Sequence, residues 1–252
     1  MLSIIIPSRS PDRLAAISAH YHALFPHHPH EIIPILNPPS ICDAYNRGLD
    51  LSTGDPVLFS HDDIEFLDPP TFAPRLLRHL ESCDVLGLAG TSLLMNASWA
   101  LAGVPHIFGQ VLHPLPPPYL PYILSIYGTP RRLVRNIQAM DGLFLAFRRD
   151  CIAQLRWDAD TFDAFHIYDV DVTFRAHLAG YKLAVACDLP VLHSSHGAFD
   201  DRWKTYAQRF FNKHHTRLAP IFLRKHEFGT LQLPSRQHAL LRMSPPHWPP
   251  DV

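Results

Sequence analysis

Val57-Leu58-Phe59-Ser60-His61-Asp62-Asp63-Ile64-Glu65-Phe66 is the stretch on which the reading of this chain turns. A short apolar run, Val57 to Phe59, follows Gly54-Asp55-Pro56 and ends in an imidazole and two carboxylates. Apolar runs of this length bounded by turn residues read as buried parallel strands. Polar side chains at the C-terminal end of such a strand lie where open α/β sheets bind ligands. Oxygen ligands grouped there suit a hard divalent cation, and such a cation suits a diphosphate. An Asp-rich turn that caps the next helix is the competing reading of the same residues.

Working outward, Leu2 to Ile6 reads as a β-branched strand, followed by the loop Pro7-Ser8-Arg9-Ser10-Pro11. A helix with Leu14, Ile17 and Tyr21 at helical spacing comes next, capped by Asp12. Glu31 to Leu36 is a second strand, ended by Asn37-Pro38-Pro39, and Ser40 is placed to N-cap a helix through Ala44-Tyr45-Asn46. Strand, helix, strand, helix, strand is the signature of a parallel sheet with right-handed crossovers. A helix over 70–83 and a strand over 84–90 continue the pattern.

Residues 91–135 break it, with Trp99 and a proline run from Pro114 to Pro121. They read as an irregular excursion with room for a hairpin, and one this long in a compact domain reads as a binding loop or lid. Strand character returns around Asp141-Gly142, and Tyr168-Asp169-Val170-Asp171 opens a helix closed near Gly180. Short strands over 182–186 and 191–192 lead to His193-Ser194-Ser195-His196. Asp201 to His214 reads as an amphipathic helix, and the rest from about Gly229 as a loosely packed tail.

At 252 residues the chain suits one domain with extensions. A net charge of −1 argues against a nucleic-acid partner or a broad membrane-binding surface. Cys42, Cys83, Cys151 and Cys187 form no C-x-x-C pair, so reduced thiols in a cytoplasmic protein are expected. Ile4-Ile5-Ile6 is cut off by Pro7, so no secretory leader is expected, and no apolar segment approaches the ~20 residues that span a bilayer.

Several of these segments, in this order, resemble bacterial family-two glycosyltransferases. The similar stretches are the opening strand with Pro7-Ser8-Arg9, Tyr45-Asn46-Arg47-Gly48, Thr53-Gly54-Asp55 and the strand-end His61-Asp62-Asp63. Asp141-Gly142-Leu143-Phe144 resembles the acceptor-side strand, and Tyr168-Asp169-Val170-Asp171 with Arg175 and Gly180-Tyr181-Lys182 the catalytic acidic motif. The resemblance covers roughly residues 1–200.

It implies an α/β GT-A fold with a Rossmann-like, mostly parallel central sheet flanked by helices. A nucleotide-binding half would occupy residues 1–90, an acceptor and catalytic half 91–200, and a C-terminal helix 201–228. Residues 229–252 would be a proline- and histidine-containing tail. The implied activity is transfer of a sugar from a UDP-, GDP- or dTDP-sugar, with Mn²⁺ or Mg²⁺. The acceptor would be a glycan, a lipid-linked glycan or another hydroxyl, as in polysaccharide biosynthesis. Such a protein would work in the cytoplasm, with peripheral contact at the inner face of the membrane left open.

His61-Asp62-Asp63 falls on the family's Asp-x-Asp motif with His61 in place of the first Asp, which leaves Asp63 as the matched metal ligand. His193 follows a strand where the family places a metal-binding histidine, and His61 and His196 are further candidates. Pro7, Ser8, Arg9, Asn37, Ser40, Asn46 and Asp62 are the candidates for holding the nucleotide sugar. Asp169 matches the base that takes the acceptor's proton. Asp141, Gly142 and Asp171 are candidates against the acceptor, with a helix cap or an Arg175 partner as the alternative for Asp171. Arg131, Arg132 and Arg135 form a basic cluster that suits either a phosphorylated acceptor or a solvated helix face. Two other functions stay open: a GT-A-like protein that binds a nucleotide sugar or glycan without turnover, and a His/Asp metallohydrolase built on His61, Asp63, His193 and His196.

Overall fold

The structure, a computed structural model, describes residues 1–195, 197, 199–221, 228–244 and 248. The first half alternates strands and helices: β1 (Leu2–Ser8), α1 (Pro11–Leu24), β2 (His30–Leu36), α2 (Ile41–Leu51), β3 (Val57–Ser60), β4 (Ile64–Phe66) and α3 (Pro69–Leu80). Then come β5 (Val85–Gly87), β6 (Ala89–Thr91), β7 (Ile107–Pro114), β8 (Tyr122–Tyr127), β9 (Leu133–Arg135), β10 (Ala139–Met140) and β11 (Phe144–Phe147). The remainder comprises α4 (Arg149–Leu155), α5 (Tyr168–Leu178), β12 (Leu183–Ala186), β13 (Val191–His193), α6 (Asp201–His214), β14 (Gly229–Leu233) and α7 (Arg236–Met243).

Among the described residues the strands make two sheets. The main one has the order β2-β1-β3-β11-β5-β12-β9. Pairs β1–β2, β1–β3 and β5–β12 are parallel, whereas β3–β11, β5–β11 and β9–β12 are antiparallel. The expectation of a mostly parallel sheet is thus corrected to a mixed one. The reason lies in β11: it enters between β3 and β5 from the opposite direction, so both neighbours pair with it antiparallel. Every residue of β1, β3, β11 and β12 is buried. The unbroken apolar run Leu58-Phe59 and its neighbours therefore fit a strand covered on both faces.

Helix α2 covers β1 at very close range. Ser40 caps it through the Asp43 N–H at 3.1 Å. A methyl group on Gly48 would lie 2.2 Å from Ile5 Cγ2, so the glycine is what lets helix and strand touch.

The second sheet runs β10-β6-β7-β13-β4, with β8 on the other edge of β7 and β14 beyond it. Two segments read from sequence as irregular are ordered here. Residues 107–127 form the β7–β8 hairpin, closed at its tip by Leu115 N–H donating to Pro121 O at 2.8 Å. The stretch read as a loose tail supplies β14, which extends that hairpin, and α7, whose Ala239 and Met243 pack with Leu112, Leu124, Leu192 and Leu233. Residues 84–90, read as one strand, divide at Leu88 into β5 and β6, one in each sheet. No helix among the described residues is long and apolar enough to cross a membrane.

Candidate active site

The C-terminal ends of β1 and β3, the start of α1 and the Phe165 loop enclose a cleft of about 270 Å³. Pro7, Ser8, Arg9, Arg13, Pro38, Ile41, His61, Asp62, Asp63, Phe165 and Ser195 line it. Ser8 donates its hydroxyl to Asp62 Oδ2 at 2.6 Å, which ties the ends of β1 and β3 together. The Arg9 guanidinium lies 4.4 Å from the Phe165 ring centroid, a cation–π contact that forms one wall.

At the inner end of the cleft three ligand-capable atoms converge. His193 Nε2 lies 3.3 Å from Asp63 Oδ1, His61 Nδ1 lies 3.9 Å from the same oxygen, and the two imidazole nitrogens are 3.5 Å apart. A point equidistant from three atoms so spaced lies about 2.1 Å from each in their plane, the bond length of a first-row divalent ion to nitrogen or carboxylate oxygen. Antiparallel pairing of β13 with β4, His193 opposite Ile64, brings a residue 130 positions away onto this carboxylate. Burial resists ionisation of Asp63, but the His193 hydrogen bond and the charges of His193 and His61 outweigh it, holding the carboxyl well below its usual range. Burial, and then the neighbouring His193, lower the His61 pKa, so this imidazole is neutral and able to ligate.

The other nitrogen of His61, Nε2, is 2.7 Å from the Tyr168 hydroxyl. Ligation through Nδ1 places the proton on Nε2, where it donates to Tyr168 Oη. Tyr168 opens α5, and the residue before it, Ile167, holds a left-handed φ of 64°. A β-branched residue is strained there, by about 1–3 kcal/mol, and such strain concentrates at functional sites.

Asp169 follows Tyr168 and accepts the Gly142 N–H at 2.8 Å. A methyl group on Gly142 would lie 2.6 Å from Tyr168 Oη and 2.7 Å from Asp169 Cβ, so the glycine makes the room that both side chains occupy. Burial, and then the charge of Asp141, push the Asp169 carboxyl up to about 7. Asp141 accepts from Trp99 Nε1 at 3.2 Å and from the Leu143 N–H at 3.0 Å. Trp99 in turn meets Tyr127 edge-on, ring centroids 4.9 Å apart. The site therefore has a metal-capable corner and a carboxyl poised near neutrality, joined through Tyr168.

Not all the expected residues gather here. Pro7, Ser8, Arg9 and Asp62 line the cleft; Asn37, Ser40 and Asn46 do not. Asn37 is exposed with a left-handed φ of 49° and makes the turn after β2. The Ser40 hydroxyl is spent on the α2 cap. Both ends of the Asn46 amide are bonded to the Trp157 backbone, at 2.8 and 3.0 Å. Asp171, expected against the acceptor, is 1% exposed and bonded to Arg175 Nε at 2.8 Å, Lys213 Nζ at 2.7 Å and His214 Nε2 at 2.8 Å. It anchors α6 to α5, with Arg175 among its partners. His196 lies outside the described residues. Arg13, Phe165 and Ser195 were missed. Arg13 sits on the first turn of α1, beside the Pro7-Ser8-Arg9 loop, which was the one available signal; Phe165 reaches the cleft only through tertiary folding.

The sequence model of a glycosyltransferase-like family matches residues 19–214, and the chain belongs to that family. No curated protein matches it by sequence. Among solved structures, a mannosyltransferase from Pyrobaculum calidifontis, determined with GDP-mannose and Mn²⁺, superposes with a TM-score of 0.54 at 12% identity. The match covers 87% of this chain and 65% of that one, so this chain spans about two-thirds of the mannosyltransferase's length. A protein from STIV aligns at 10% identity and a TM-score of 0.43, over 79% of this chain and 96% of that one. The fold is GT-A.

Proposed function

We propose that the chain transfers a sugar from a nucleoside-diphosphate sugar to a hydroxyl acceptor, with inversion and with the help of a divalent cation. The observation that carries this reading is the pairing of the His61–Asp63–His193 corner with an Asp169 carboxyl held near 7. The GDP-mannose and Mn²⁺ bound by the mannosyltransferase of like fold support it.

His61, Asp63 and His193 would hold the cation, and two imidazoles beside one carboxylate suit Mn²⁺ better than Mg²⁺. Bound there, the ion would supply positive charge to the diphosphate leaving group. Arg9 and Arg13 face the same cleft and offer guanidinium donors to phosphate or base. Asp169 accepts the proton of the acceptor hydroxyl, and a value near 7 lets it do so at neutral pH. A single carboxylate is enough for inversion, because a diphosphate leaving group would depart with the cation's charge to balance it and needs no general-acid carboxyl. Asp141, held by Trp99 Nε1, lies beside the base and offers an acceptor sugar a carboxylate. A glycan or a lipid-linked glycan is the acceptor class proposed, and polysaccharide assembly at the cytoplasmic face of a membrane is the setting.

The test is incubation with a panel of UDP-, GDP- and dTDP-sugars in Mn²⁺ and in chelator, with release of nucleoside diphosphate and transfer of labelled sugar followed together. Mn²⁺-dependent release with transfer is expected for one donor. Binding without release from any donor would make the protein a nucleotide-sugar binder, and phosphoester cleavage without sugar transfer a hydrolase.

A further inference from the structure

Well away from the cleft, α3, the segment entering β9, Ser244 and Trp248 line a second cavity of about 570 Å³. It shares no lining residue with the first. In the main sheet β9 is the far edge strand, five strand steps from β1, or roughly 24 Å at the usual spacing. Its walls carry four guanidiniums: Arg75 and Arg78 from α3, and Arg132 and Arg135 from β9 and the residue before it. Of the basic cluster read from sequence as suiting a phosphorylated acceptor or a helix face, Arg135 ends β9 and Arg132 precedes it, so no helix carries them.

The charge in this cavity is unbalanced. Two carboxylates line it, Glu81 and Asp188. Asp188 is already engaged: its Oδ1 lies 2.7 Å from His79 Nε2, with both side chains buried, and its carbonyl accepts from Arg75 Nη1 at 2.7 Å. Arg75 also pairs with Asp68 at 3.5 Å. The guanidiniums of Arg78 and Arg132 have no hydrogen bond or ion pair among the described residues, and Arg135 has only a 3.5 Å contact with the Ser82 hydroxyl. Glu81 is then the one lining carboxylate left for Arg78, Arg132 and Arg135, so positive charge is in excess there, in a chain whose net charge is −1. The second, independent observation is Ser244, whose buried hydroxyl lines the same cavity and lacks a hydrogen-bond partner among the described residues. Buried polar groups without partners are rare and mark a missing ligand or water. Trp248 and Leu133 supply an apolar flank.

We infer that this cavity binds a phosphate-bearing anion, held by Arg78, Arg132 and Arg135 and by the Ser244 hydroxyl, at a place separate from the catalytic cleft. Planar guanidinium forks match phosphate oxygens two at a time, which is why three arginines lining one cavity favour phosphate over a single carboxylate. The phosphate can be carried by a soluble molecule or by the headgroup of a lipid.

The experiment uses the full chain in chelator, so that a metal-dependent diphosphate site in the catalytic cleft is silent. Titration calorimetry with inorganic pyrophosphate covers the soluble source; co-sedimentation with phosphatidylcholine vesicles, with and without phosphatidic acid, covers the lipid. Binding in either arm is expected, weakened about tenfold or more in Arg78→Ala/Arg132→Ala, the loss of a charge-assisted hydrogen bond or two. Arg47→Ala, which removes an exposed arginine paired with Asp43 on α2, is expected to bind as the wild type does. Since Arg78 and Arg132 are exposed and unpaired among the described residues, the double variant should melt with the wild type, which separates lost binding from lost folding. No binding in either arm, binding unchanged in the double variant, or an equal loss in Arg47→Ala would each overturn the assignment.

Discussion

Replacing Asp169 with Asn keeps the shape of the side chain and an oxygen for the Gly142 N–H, but removes the proton acceptor. General-base help is worth about 10²–10⁴-fold, so turnover should fall by that factor while donor affinity, set in the cleft on the other side of Tyr168, stays near normal. The wild-type pH profile carries a second signature. With the carboxyl at about 7, roughly a tenth of it is ionised at pH 6 and nine-tenths at pH 8, so the rate should climb about tenfold between them. Burial is the larger cause of the raised value and Asp141 the next, so Asp141→Asn should move the midpoint to lower pH without returning it to the ordinary carboxylate range.

Stability should respond with the opposite slope. The folded protein holds a proton that the unfolded chain has released between about pH 4 and pH 7, so wild-type stability falls as pH rises through that window, with an upper bound of about 4 kcal/mol. Asp169→Asn lacks this decline and should melt higher than the wild type at pH 8. Steady-state transfer from pH 5.5 to 8.5 (a range on the order of three units that brackets the midpoint), with melting curves over the same range, makes the comparison. Wild-type turnover retained in Asp169→Asn, or a flat wild-type profile, would refute the role of this carboxyl.

Asp63→Ala should abolish Mn²⁺-dependent binding of the nucleoside diphosphate by calorimetry; wild-type metal-dependent affinity in the variant would remove Asp63 from the ligand set. Tyr168→Phe deletes the hydroxyl against His61 Nε2 and should weaken Mn²⁺ binding by about 10–100-fold, read by titration with Mn²⁺ alone. Asp171→Ala leaves Arg175, Lys213 and His214 without their shared carboxylate and should cost about 3–5 kcal/mol by denaturant melts. Its turnover per folded molecule should stay near normal; a loss of activity at unchanged stability would return Asp171 to the acceptor site.

Sequence alone determined the local elements and the strand-end chemistry. The first three strands and two helices could be read because apolar runs, proline loops and the Ser40 cap act within a few residues of one another. Asp63 and Asp169 could be picked out as candidates because one follows a strand end and the other opens a helix, and the family resemblance supplied the role proposed for each. What only the tertiary structure decided was which distant residues share a site and which polar groups are already spoken for. Antiparallel pairing of β13 with β4 brings His193 onto Asp63, and packing of α5 on the Gly142 loop brings Tyr168 to His61 and Asp141 beside Asp169. Asn46 looks as available in sequence as Asp62, yet it clamps Trp157; Asp171, whose Arg175 partner one turn on could be read from sequence, also takes Lys213 and His214 from α6. Hydrogen-bond partners forty to more than a hundred residues apart leave no periodic trace in a sequence, because nothing local selects them; burial and strand register do.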